Sequence, residues 1–173
     1  TNKVFFYKNN DKNVKSIKII DFIDDNILET INDLIDGQYY DLNLIKLDLD
    51  LDIIYKINSK KTAPLFVLSF LLGYMGVLFF DEKFIIEENI IDKLKELGDL
   101  FGFIFQLNDD IIDREDDAKE GKNLNISIHL GKEKSLDIFN IKCDDFEKKL
   151  NELNLWNHNF KEIIQLLKKR INI

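Results

Sequence analysis

Eighteen consecutive residues, APLFVLSFLLGYMGVLFF from Ala63 to Phe80, carry no charge. Such a run either crosses a membrane or lies among other helices that cover it. Ser69, Gly73 and Gly76 interrupt it, and it is the only segment of its kind in the sequence. A strongly acidic helix further along also needs a neighbour to pack against, so the run is expected to sit inside a bundle, with no stable membrane insertion. Pro64 is the single proline and glycines number only seven. Most of the chain has helical periodicity, which predicts an all-α fold. With 173 residues, one domain spanning 1–173 is expected.

Along the chain, KVFFYK at 3–8 reads as the end of a helix, and 9–13 as a polar loop. Ile19, Ile20, Ile23, Ile27, Leu28, Ile31, Leu34 and Ile35 then trace an apolar stripe through a helix that continues past Gly37 to about Leu44, with Gly37 allowing close packing. The strictly alternating LDLDLD at 47–52 has no partner strand in the sequence, so a connection between helices is expected. Thr62 and Pro64 suit a helix cap and first turn, which would put Lys60, Lys61 and Thr62 where free backbone donors favour anions. REDDAKEGKN after residue 113 reads as a charged loop, and 131–153 and 158–171 as two amphipathic helices, the first broken near Cys143 to Asp145.

The most informative stretch is GDLFGFIFQLNDDIIDREDDAKEGK, residues 98–122. Phe101, Ile104, Phe105, Leu107, Ile111 and Ile112 recur at helical spacing, while Gln106, Asp109, Asp110 and Asp113 fall three or four apart. Carboxylates at that spacing repel one another and need solvent or a cation beside them. A hard divalent cation fits best: magnesium takes oxygen ligands, and one or two carboxylates commonly hold it together with substrate phosphates. The plainer reading is a helix that surfaces at Asn108 and shows its acids to water. An EF-hand loop is excluded by register, because a loop starting at Asp113 puts Ala118 at the turn glycine and Leu124 at the closing glutamate.

A net charge of −8 and only two arginines, Arg114 and Arg170, leave no basic stripe for a nucleic-acid backbone. Cys143 has no cysteine to pair with, and His129 and His158 lack metal spacing, so none of the three is assigned a role. With a single cysteine and no internal disulfide, an intracellular, cytoplasmic setting is expected.

Four elements occur in a telling order: GQYYDL at 37–42, KTAPL at 61–65, GDLFGFIFQLNDDIID at 98–113, and GK at 121–122. Together they resemble the trans-isoprenyl diphosphate synthases, and most closely the bacterial short-chain type that makes farnesyl or geranylgeranyl diphosphate. The resemblance spans about residues 36–131, and F-Q-x-x-D-D-x-x-D followed by G-K is its most specific part. It implies the isoprenoid synthase fold, Mg2+ as cofactor, an allylic diphosphate and isopentenyl diphosphate as substrates, and a homodimer. Asp109, Asp110 and Asp113 resemble the second aspartate-rich motif, whose first member contacts magnesium on the allylic diphosphate. Lys61 and Lys122 resemble the lysines that hold that diphosphate. Thr62, Gln38, Asp41 and Gln106 resemble the polar groups near the allylic carbon, and Phe105 a wall residue.

The family also carries an earlier D-D-x-x-D motif, an arginine after it, and a lysine and arginine for isopentenyl diphosphate. This sequence has a single D-D-x-x-D, at 109–113, and begins at Thr1. The expectation is therefore the C-terminal portion of a synthase, lacking the N-terminal helices. Two other readings stand beside it: a non-catalytic or regulatory subunit, and a helical binding module. A class I terpene cyclase shares the fold, but its second metal motif mixes Asn, Ser and Glu.

Overall fold

A computed structural model describes residues 4–6, 12–44, 49–80 and 85–172. As expected, the fold is all-α, with helices α1 (Lys12–Leu44), α2 (Leu51–Phe80), α3 (Glu88–Glu120), α4 (Ile126–Leu130), α5 (Lys132–Glu152) and α6 (His158–Arg170). Two short strands, β1 (Val4–Phe6) and β2 (Ile85–Glu87), pair antiparallel with Val4 opposite Glu87. The sequence reading of 3–8 as a helix end is thereby corrected. A three-residue ribbon is too short to leave an alternating pattern.

Helix α2 begins well before Thr62. The Asp50 carboxylate accepts from the Ile53 amide at 3.0 Å and caps the first turn. Thr62 and Pro64 thus lie inside the helix and not at its start, a second correction. Proline there removes the amide that would bond the Lys60 carbonyl, and at that point α1 comes closest: a Cβ on Gly37 would lie 2.4 Å from the Lys61 nitrogen. Gly37 does give the close approach foreseen for it.

On its other side α2 meets α3 through two more bare backbones. A Cβ on Gly98 would lie 2.4 Å from Val67 Cα, and one on Gly102 2.5 Å from Ala63 Cα. The pairs 98/67 and 102/63 run in opposite directions, so the two helices are antiparallel. The uncharged run is therefore a layer between α1 and α3, with Ala63, Leu71, Met75 and Leu78 buried. By length and composition α2 could also cross a membrane, and Leu65, Leu72, Val77 and Phe80 remain exposed.

Helices α5 and α6 pack on the far side of α3. Phe139, Phe146 and Leu150 of α5 are fully buried. Phe70 of α2 stacks on Phe160 of α6 at 5.9 Å, and Phe101 of α3 meets Phe146 at 5.1 Å. These rings join four helices behind the cleft described below. The break expected near Cys143 does not occur, because that residue lies in the core of a continuous α5.

The segment after Asp113 is helical too. Helix α3 runs to Glu120 and stops where Gly121 takes a left-handed φ of 69°. There the Lys122 amide bonds the Asp117 carbonyl at 2.9 Å. Residues 114–120 of the charged loop expected over 114–123 are thus about two further turns of helix. The stripe foreseen on α1 is also corrected: Ile19 is buried, whereas Ile20, Leu28, Ile31 and Ile35 are exposed.

Candidate active site

One cleft, of about 630 Å³, opens between α1, α2, α3 and the segment after Gly121. Gln38 and Asp41 come to it from α1, Lys61 and Thr62 from α2, Phe105, Gln106, Asp109, Asp110 and Asp113 from α3, and Lys122 from beyond the cap. All of the residues singled out from the sequence line this space. Leu65, Phe66 and Leu124 add apolar wall.

A hydrogen-bonded chain crosses its floor. Thr62 donates its hydroxyl to Gln106 Oε1 at 2.7 Å, and Gln106 Nε2 donates to Asp110 Oδ1 at 2.8 Å. The Ile126 amide, in the first turn of α4, donates to Asp110 Oδ2 at 2.7 Å. Both Asp110 oxygens are therefore engaged inside the protein. Burial pushes this carboxyl up to about 7, and the bonds from Gln106 and Ile126 and the charge of Lys61 restrain the rise.

Most of the remaining charges are paired. Lys61 meets Asp41 at 3.0 Å, and Lys122 meets Asp117 at 2.9 Å and Glu120 at 2.8 Å. Those two acids hold the Lys122 ammonium well above the usual lysine range. Asp109 is ion-paired with Arg170 of α6 at 2.9 Å, and Asp113 is exposed. Among the described residues no group of three or more His, Cys, Asp or Glu is arranged to enclose a metal ion. Asp109 and Asp113 nevertheless offer hard oxygen donors beside two lysines. That set fits a magnesium ion completed by a substrate diphosphate better than one caged by protein.

Sequence reasoning missed Asp117, Asn125 and Arg170. Asp117 follows Asp113 by one turn of α3, so the stripe itself marked it once the helix is known to continue. Asn125 caps α4 through the Ile128 amide and donates to Asp117 Oδ2 at 3.0 Å and to the Asp110 carbonyl at 2.9 Å. Nothing in the local sequence links Arg170 to Asp109.

The arrangement is that of an isoprenoid synthase fold. The family model for polyprenyl synthetase matches residues 8–169, and the chain belongs to that family. A solved geranyltransferase from Helicobacter pylori 26695 is similar over 86% of this chain and 51% of its own, with 23% identity and a TM-score of 0.61. A second, the Helicobacter pylori geranyltransferase complexed with magnesium and isoprenyl diphosphate, covers 85% of this chain and 50% of its own, with 24% identity and a TM-score of 0.54. The chain thus spans about half the length of the solved structures it matches. No curated protein sequence matches it.

Proposed function

We propose that this chain forms the allylic-diphosphate wall of a trans-prenyltransferase that joins an allylic diphosphate to isopentenyl diphosphate, giving farnesyl or geranylgeranyl diphosphate. The observation that carries the reading is the convergence of Lys61, Lys122, Asp109 and Asp113 with the Thr62–Gln106 pair on one cleft, in a chain of the polyprenyl synthetase family. The complex of the Helicobacter pylori enzyme with magnesium and isoprenyl diphosphate supports it.

Breaking the allylic carbon–oxygen bond requires the charge of the departing diphosphate to be neutralised. Lys61 and Lys122 exchange their carboxylate partners for diphosphate oxygens; Asp109 and Asp113 would hold a magnesium ion, which would supply the remaining positive charge. Because the Thr62 proton is committed to Gln106, the lone pairs of the hydroxyl oxygen are left for the allylic cation. Phe105 and Phe66 wall the cation off from water. The double bond of isopentenyl diphosphate then attacks, and the departed diphosphate takes the final proton. No side-chain nucleophile is used. We place the protein in the cytoplasm, as a homodimer in its complete form and without membrane insertion.

A non-catalytic subunit that pairs with a complete synthase is the second reading, favoured by the engagement of both Asp110 oxygens inside the protein and the pairing of Asp109 with Arg170. Calorimetry with magnesium pyrophosphate tests the site. Binding is expected to be weak and to be lost in the Lys61→Met, Lys122→Met double variant; undiminished binding there overturns the assignment. The 173 residues alone are expected to turn over little or no geranyl and isopentenyl diphosphate, and ready turnover overturns the half-site reading.

A further inference from the structure

The last turn of α6 is fastened to two adjacent residues of α3. Asn108, fully buried, donates from Nδ2 to the Leu167 carbonyl at 2.8 Å. Leu167 is within the final turn, where carbonyls lack helical donors, so Asn108 acts as a cap supplied by another helix. The next residue, Asp109, is ion-paired through Oδ1 with Arg170 Nη2 at 2.9 Å. Ile164, Leu167 and Ile171 seat the same turn in the core. The backbone of Arg170 is therefore set by packing and a buried hydrogen bond, and its half-exposed guanidinium reaches Asp109 from that fixed point.

A guanidinium stays charged at any working pH and has no acceptor to offer. Sitting on Asp109, it neutralises the carboxylate and repels any cation that approaches. We infer that Arg170 is a resident counter-ion for Asp109, holding its carboxylate until a divalent cation takes it, so that the C-terminal turn of α6 is coupled to metal loading of the cleft. Arg170 is a positioning residue and touches no reacting atom. The inference rests on the metal-holding role proposed for Asp109.

Coupling of this kind is reciprocal: if Arg170 weakens metal binding, metal must weaken the hold on Arg170. The test uses Mn2+ alone, titrated into the whole chain and followed by the electron paramagnetic resonance signal of the free ion, so no turnover is needed. Arg170→Gln is expected to tighten Mn2+ binding about 3- to 10-fold, the scale of removing one partly screened charge a few ångströms away. Arg170→Lys, which keeps the charge, is expected to stay close to the wild type. In the unmodified chain, saturating Mn2+ is expected to speed amide hydrogen exchange of Ile171 and Asn172, the caps of α6. That measurement stands even if a variant folds poorly.

Asp109→Asn separates the two ideas. Mn2+ binding lost in Asp109→Asn but unchanged or weaker in Arg170→Gln overturns the counter-ion role alone. Binding that survives Asp109→Asn overturns the metal role of Asp109, and the inference with it. Exchange of the α6 caps that ignores Mn2+ overturns the coupling.

Discussion

Thr62 and Gln106, 44 residues apart, share a 2.7 Å hydrogen bond across the α2–α3 contact. The bond fixes which end of the Gln106 amide faces which neighbour, because its nitrogen is already committed to Asp110. Thr62→Val removes the donor of this bond and leaves a partly buried oxygen unsatisfied, at a cost of about 1 kcal/mol. In the complete enzyme we expect kcat to fall about tenfold with little change in KM, as an interaction with the developing cation is lost. Thr62→Ser is expected to restore the rate. Equal losses in the serine and valine variants would count against the hydroxyl.

Gly102 stands where α3 meets α2 with no room for a methyl group. Gly102→Ala places its Cβ 2.5 Å from Ala63 Cα, and overpacking against backbone is expected to cost about 1–3 kcal/mol or more. Gly73, with nothing near its hypothetical Cβ, is the control: alanine there is expected to stabilise by about 0.5–1 kcal/mol through better helix propensity. Urea denaturation followed by circular dichroism distinguishes the two.

The raised Asp110 carboxyl carries a pH signature. Between its ordinary 3.8 and about 7, the folded chain keeps a proton that the unfolded chain has released. Its contribution to stability therefore declines as pH rises through that window, by at most about 1.4 kcal/mol per pH unit, and levels off above about 7. Asp110→Asn is expected to flatten this slope in urea titrations between pH 4 and 8. Parallel slopes in the two proteins would rule the carboxyl out as their source.

Asn108 is fully buried and uses only half of its amide: Nδ2 holds Leu167, while Oδ1 has no partner among the described residues. Asn108→Ala is expected to destabilise the chain by about 1–3 kcal/mol. The loss should be local, showing as faster hydrogen exchange in α6 than in α2. Uniform acceleration over all helices would contradict a dedicated anchor for α6.

The site was more legible in the sequence than the boundaries of the helices that carry it. Gln106, Asp109 and Asp113 betray themselves because polar groups at helical spacing in an apolar helix are costly without a purpose. Lys61 and Lys122 were found through resemblance, not periodicity. The boundaries failed where two signals competed. Thr62 and Pro64 look like a cap, but the true cap, Asp50, sits in an alternating run that mimics a strand. REDDAKE looks like a loop because six of its seven residues are charged, yet charges do not break helices, and Gly121 ends this one. The Asp110 bond to the Ile126 amide and the Arg170 contact were out of reach, since both depend on how distant helices dock.

The contacts of Gly37 and Gly98 with α2 bear on how such a chain tolerates drift. At 23% identity the fold still superposes on the Helicobacter pylori geranyltransferase with a TM-score of 0.61. Where two backbones touch with only hydrogen between them, the spacing of the helices is set by the backbones, and the side chains around the contact need only fill what remains. A sequence rich in Ile, Asn, Lys and Asp can therefore be laid over the same frame, with Thr62 kept within reach of Gln106 by glycines at which any added side chain would meet backbone.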